Sequence, residues 1–235
     1  MASTKTVSDT IVYVTTLLKG QLLNVNNQLP GLEMANIIKE RILGPPFSWR
    51  QNRATLNFGI SQAGGTDYTL SVPQMGRIEV QWMTDGSGKK LELGGAMALA
   101  ANSTVAQPTK MALQYDDNAG NLTFRFNTVP DENYTAWCDY QQKAVLIQSY
   151  ADLWGPIPDE FAYLFDEGML ALGGRLVNDA RFTIWEGNFI AGLLATQDGL
   201  DEQAKAIFVA DWMAVARYMN RSQAAGQMGT QGRGR

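Results

Sequence analysis

Residues 111–126 read MALQYDDNAGNLTFRF. Met111, Leu113 and Tyr115 recur at every second position, as do Leu122, Phe124 and Phe126. A period of two buries one face of a strand and leaves the other wet. Between the two runs stands Asp117-Asn118-Ala119-Gly120, which has the residue types of a tight turn. The stretch therefore predicts an antiparallel hairpin, and the same alternation spreads to both sides of it.

Upstream, Ala54, Leu56, Phe58 and Ile60 alternate with polar residues, and so do Tyr68, Leu70 and Val72. Gly64-Gly65 lies between these runs, so they are expected to pair as a second hairpin. Ile78, Val80 and Trp82 make a further strand, and Asp85-Gly86-Ser87-Gly88 turns the chain towards Lys90 to Leu93. Gly94 to Pro108 is small and polar and reads as either a helical turn or a loop. A last strand is expected over roughly Ala144 to Gln148.

Outside this β zone the period changes to that of a helix. Val7, Ile11, Val14, Leu18 and Leu22 share one face, and Thr6 with Asp9 can form a capping box. A second helix is expected over Gly31 to Leu43, with Ala35, Ile38 and Ile42 on its apolar face. Gly44-Pro45-Pro46 ends it, since proline cannot continue the ladder. After the sheet, Pro158 suits a first helical position, with Asp159 and Glu160 in the positive first turn. Phe161, Leu164, Phe165, Gly168 and Leu172 follow at helical spacing. A further helix from Asp179 to Thr196 buries Phe182, Phe189 and Leu193. Another opens at Asp201-Glu202 and buries Ala204, Phe208, Trp212, Val215 and Met219. The expected fold is α+β: an antiparallel β segment (50–149) between N-terminal helices (1–44) and a C-terminal helical bundle (157–219). Residues 1–219 are taken as a single domain, followed by a flexible basic tail at 220–235.

The chain has 235 residues, no histidine and one cysteine, Cys138. Lack of histidine removes the commonest general base and metal ligand, so neither a Ser-His-Asp nor a Cys-His arrangement is available. One thiol cannot build a thiolate metal site or an internal disulfide. The acidic pairs Asp116-Asp117, Asp131-Glu132, Asp159-Glu160 and Asp201-Glu202 fit turns and helix starts better than a catalytic cleft. The glycine pairs lack the residues of a phosphate loop. No catalytic residue, cofactor or metal is therefore expected. A glycosidase would need two carboxyls converging at a separation of roughly 5–9 Å.

The net charge of −4 argues against a general nucleic-acid binder, though an acidic wall lets DNA slide past. No signal peptide or membrane-length apolar run is evident. Charged residues are only 18% of the chain, consistent with a surface partly covered by neighbours. Candidate partner-binding residues fall in two groups. Trp49 with Arg50 and Arg53 offers an aromatic between guanidinium groups, to be weighed against a buried plug with paired arginines. Arg217, Arg221, Arg233 and Arg235 form a basic end that orders on a partner or binds phosphates, unless it is a frayed terminus.

Three stretches carry a family resemblance: Gly44 to Arg53, Gly65 to Leu70 with Pro73, and Gly155 to Phe161. In their order, the chain resembles the head–tail connector (adaptor, neck) proteins of tailed bacteriophages. The resemblance implies a virion protein made in the host bacterial cytoplasm. It implies a homo-oligomeric ring, twelvefold, that binds the portal above and tail or nozzle proteins below. Double-stranded DNA would pass through it without sequence-specific contact, and no membrane would be involved. Other neck components, such as a stopper or tail terminator, fit the same features. So does a capsid decoration or glycan-binding module marked by exposed aromatics near Trp49 or Trp82.

Overall fold

The computed structural model describes residues 3–18, 31–117, 119–197 and 200–214. They form helices and mainly antiparallel sheets, an α+β fold with a helical C-terminal region. Two compact units divide the chain, and the boundary cuts through what the sequence suggests is one domain. Met1–Asn52 and Ala144–Arg235 make the first, and Arg53–Lys143 makes the second.

The β unit contains β1 (Arg53–Ile60), β2 (Asp67–Ser71), β3 (Met75–Thr84), β4 (Lys90–Glu92), β5 (Gly94–Gly95), β6 (Lys110–Asp116), β7 (Asn121–Phe126) and β8 (Tyr134–Gln142). One sheet has the order β1-β8-β3-β4 and the other β2-β7-β6-β5. The two inner faces share one core. Phe58 of the first sheet lies 5.2 Å from Phe124 of the second, ring centre to ring centre. Met83, Ala136 and Cys138 face Met111, Leu122 and Phe126 within the same cluster. The hairpin at 111–126 is present as β6–β7, and Asp117 Oδ1 accepts from the backbone N–H of Ala119 and Asn121. The β3–β4 turn is built alike, with Asp85 Oδ1 accepting from Ser87 and Lys89.

Two strand expectations are corrected. First, β1 and β2 do not pair as a hairpin: β1 pairs with β8 and β2 with β7. The link between them is a 3-10 turn, Gln62–Gly64, followed by Gly65 at φ 70°. The Tyr68 ring closes over this link, with its hydroxyl donating to Ser61 O at 2.7 Å. A Cβ on Gly64 would stand 2.6 Å from that ring. The glycine pair thus carries the chain from one sheet to the other. Second, the last strand is β8, not 144–148. β8 lies between β1 and β3, burying Tyr134, Ala136, Cys138 and Tyr140. At 144–148 the backbone meets a side chain in place of a strand. Asn36 Oδ1 accepts from Ile147 N–H at 2.7 Å and Asn36 Nδ2 donates to Ile147 O at 3.0 Å. Of the 94–108 stretch, only Gly94–Gly95 forms a strand, parallel to β6.

The helical unit contains α1 (Val7–Leu17), α2 (Gly31–Leu43), α3 (Tyr163–Val177) and α4 (Phe182–Ala195), with residues 202–214 also helical. The capping box of Thr6 and Asp9 starts α1. Asp159 serves less as a helix start than as a clamp. It accepts from Ser3 Oγ at 2.7 Å, Thr4 N–H at 2.9 Å and Thr4 Oγ1 at 2.6 Å. These bonds hold its carboxyl down at about 2, so the clamp is charged across the ordinary pH range. Beside it, Lys5 Nζ donates to Asp166 Oδ1 at 2.6 Å.

Close packing around α3 uses its glycines. Gly168 faces Ile38 of α2 and Phe189 of α4, Gly173 faces Val14 and Leu18, and Gly174 faces Phe182 and Trp185. Ile11, Met34, Ile38, Trp154, Phe165 and Leu172 are fully enclosed in this core. Phe182, expected to be buried, is half-buried with the Arg175 guanidinium 4.7 Å from its ring centre.

Cys138 is inaccessible in the β-unit core, where burial, with the neighbouring Asp139 charge adding, pushes the thiol up to about 12. At pH 8 its thiolate fraction then falls roughly 10³-fold below that of a free cysteine. Labelling with an aromatic disulfide reagent is expected to be slower by at least that factor in buffer than in 6 M urea. Comparable rates in the two solvents would show that the β-unit core is open.

Candidate assembly surfaces

Trp49 is on the inside. It is 3% exposed, its Nε1 donates to Ile42 O at 2.7 Å, and its ring meets the edge of Phe161 at 5.6 Å. It is therefore the plug that locks the end of α2 to the start of the C-terminal helices, and stacking on a ligand is overturned by this burial. Arg53 pairs with Glu79, Nε to Oε2 at 2.7 Å. Arg50 is exposed on a 3-10 turn of the helical unit. Arg53 belongs to the β unit, so no constellation of the three forms within one unit. Arg217, Arg221, Arg233 and Arg235, with Leu22, Val215 and Met219, lie outside the described residues.

The acidic pairs have local partners. Asp116 binds Lys143, Asp131 accepts from the Tyr134 hydroxyl, and Asp201 caps the N–H of Ala204. Among the described residues, no three metal-ligating side chains gather to hold an ion, and no helix is long and apolar enough to cross a membrane.

Trp154 and Trp212 are enclosed in the core of the helical unit, whereas Trp82 and Trp137 sit half-buried on the outer face of their sheet. They stack at 6.0 Å with planes 3° apart. Lys90 Nζ lies 4.7 Å from the Trp82 ring centre. With β3 between β8 and β4, Trp137 and Lys90 approach Trp82 from opposite neighbouring strands. Trp82 is thus the middle of a cross-strand ladder, not an open platform for a sugar ring.

The β unit also has an open groove of about 530 Å³ beside β3, lined by Ile78, Gln81, Met111, Leu113 and the fully exposed Met97. β4 covers only Trp82–Thr84 of β3 on that flank.

The helical unit carries surfaces of another kind. Fourteen residues long, α4 holds a single charge, Glu186, and that charge is buried. Its solvent side is Thr183, Ile184, Gly187, Asn188, Ala191 and Ala195, with Ile184 63% exposed. A helix apolar on nearly every side normally belongs inside a structure. The outer side of α1 also exposes large apolar groups, Val12 at 55% and Tyr13 at 48%, but the exposed Asp9 lies on the same side. Its only acid, Asp9, is engaged by Thr6.

No protein-family model matches the chain, and no curated protein matches it. The surfaces just described were missed from sequence because only the buried residues of each helix were sought. The available signal was one charged residue in fourteen along FTIWEGNFIAGLLA.

Proposed function

We propose that the chain is a structural subunit of a virion: a head–tail adaptor in the neck of a tailed phage. In this reading, copies form a ring, twelvefold, that binds the portal on one side and tail or nozzle proteins on the other. The observation that carries it concerns the resemblance stretches. Gly44 to Arg53 and Gly155 to Phe161 are about a hundred residues apart, yet Trp49 of the first packs on Phe161 of the last. The two flanks of the chain thus close into one helical unit, with the β unit between them in sequence. That is the order of elements the resemblance implies. The uncharged outer side of α4 and the exposed Val12 and Tyr13 of α1 are surfaces that neighbours in a ring could cover. An acidic channel wall lets DNA pass without adhering. The role is structural, not catalytic, and the site of action is the assembled particle.

The basic end at 220–235 would add a tethered contact to the portal, raising affinity through effective concentration. The test is native mass measurement of the full chain mixed with purified portal rings from the same phage. A ring-on-ring complex, built from 25.8 kDa increments, is expected. Truncation after Asn220 should weaken the complex at least tenfold with unchanged circular dichroism. Equal portal affinity would remove the tail from the mechanism, and no portal complex at all would remove the adaptor reading.

A further inference from the structure

We draw no further inference here: the strongest candidate, the open groove beside β3 in the β unit, lined by Ile78, Gln81, Met111, Leu113 and Met97, carries nothing because no feature of the structure shows what covers it.

Discussion

Trp154→Ala is expected to lower the stability of the helical unit by about 3–5 kcal/mol, the range for deleting a large enclosed aromatic. Trp154 is completely buried. Its ring stacks on Phe165 at 4.2 Å with planes 14° apart, and its Nε1 donates to Thr10 Oγ1 at 2.9 Å. Thr10 is itself fully buried on α1, so the substitution both opens a cavity and strips that hydroxyl of its donor. The cavity would open beside a junction made by the backbone. Trp154 N–H donates to Lys5 O, and Val7 N–H donates to Asp152 O, which ties the first residues to the segment before α3. Trp154→Phe separates the two contributions. It retains an aromatic surface for Phe165 and loses the hydrogen bond, and about 1 kcal/mol is expected. Urea unfolding followed at 222 nm measures both. A loss below 1 kcal/mol for the alanine variant would mean that this part of the core rearranges freely.

The helices were legible because each carries its own local signals. Gly31–Leu43 ends at a glycine followed by two prolines, and Val7–Leu17 starts at a threonine with an aspartate three residues on. The β6–β7 hairpin was legible for the same reason, since turn and alternation adjoin. What sequence reading missed depends on partners far along the chain. β8 alternates as clearly as any strand, yet it follows an irregular stretch and pairs with strands more than fifty residues earlier. Residues 144–148 have strand composition, but a single asparagine on α2 satisfies the backbone of Ile147 and leaves Val145 and Leu146 exposed. Gly64-Gly65 was seen as a turn without a sign of which sheet each arm would join. At the candidate surfaces, the burial of Trp49 follows from the Ile42 carbonyl, left without a helical donor at the end of α2 and met by the indole N–H. That geometry belongs to the fold and is not written in the aromatic–arginine spacing.

Glu186→Ala is expected to cost about 3–5 kcal/mol, the penalty for leaving one member of a buried ion pair alone. Glu186 lies on α4, where both carboxylate oxygens accept from Arg175 Nη2 of α3 at 2.6 Å. Its Oε1 also accepts from Trp212 Nε1 in the 202–214 helix at 2.6 Å. The Arg175 and Glu186 side chains are 12% and 8% exposed, and Arg175 Nε is already buried without a partner. Removing the carboxylate therefore strands a guanidinium that water reaches only in small part. Arg175→Met alone should be similarly costly, because Glu186 then retains only the indole donor. Combined as Arg175→Met with Glu186→Leu, the two should cost far less than their sum, since no buried charge remains. The residue should be the roughly 1–3 kcal/mol of an unpaired Trp212 N–H. A coupling energy of at least 2 kcal/mol in this double-mutant cycle is expected from urea unfolding, and additive losses would mean that the pair is open to solvent. The network thus has little to add to net stability over an apolar equivalent. Its effect is on alignment: one carboxylate receives donors from two other helices, so a slip of α4 by a single turn would break all three bonds. That fixes which side of α4 faces inward, and with it the uncharged side left at the surface.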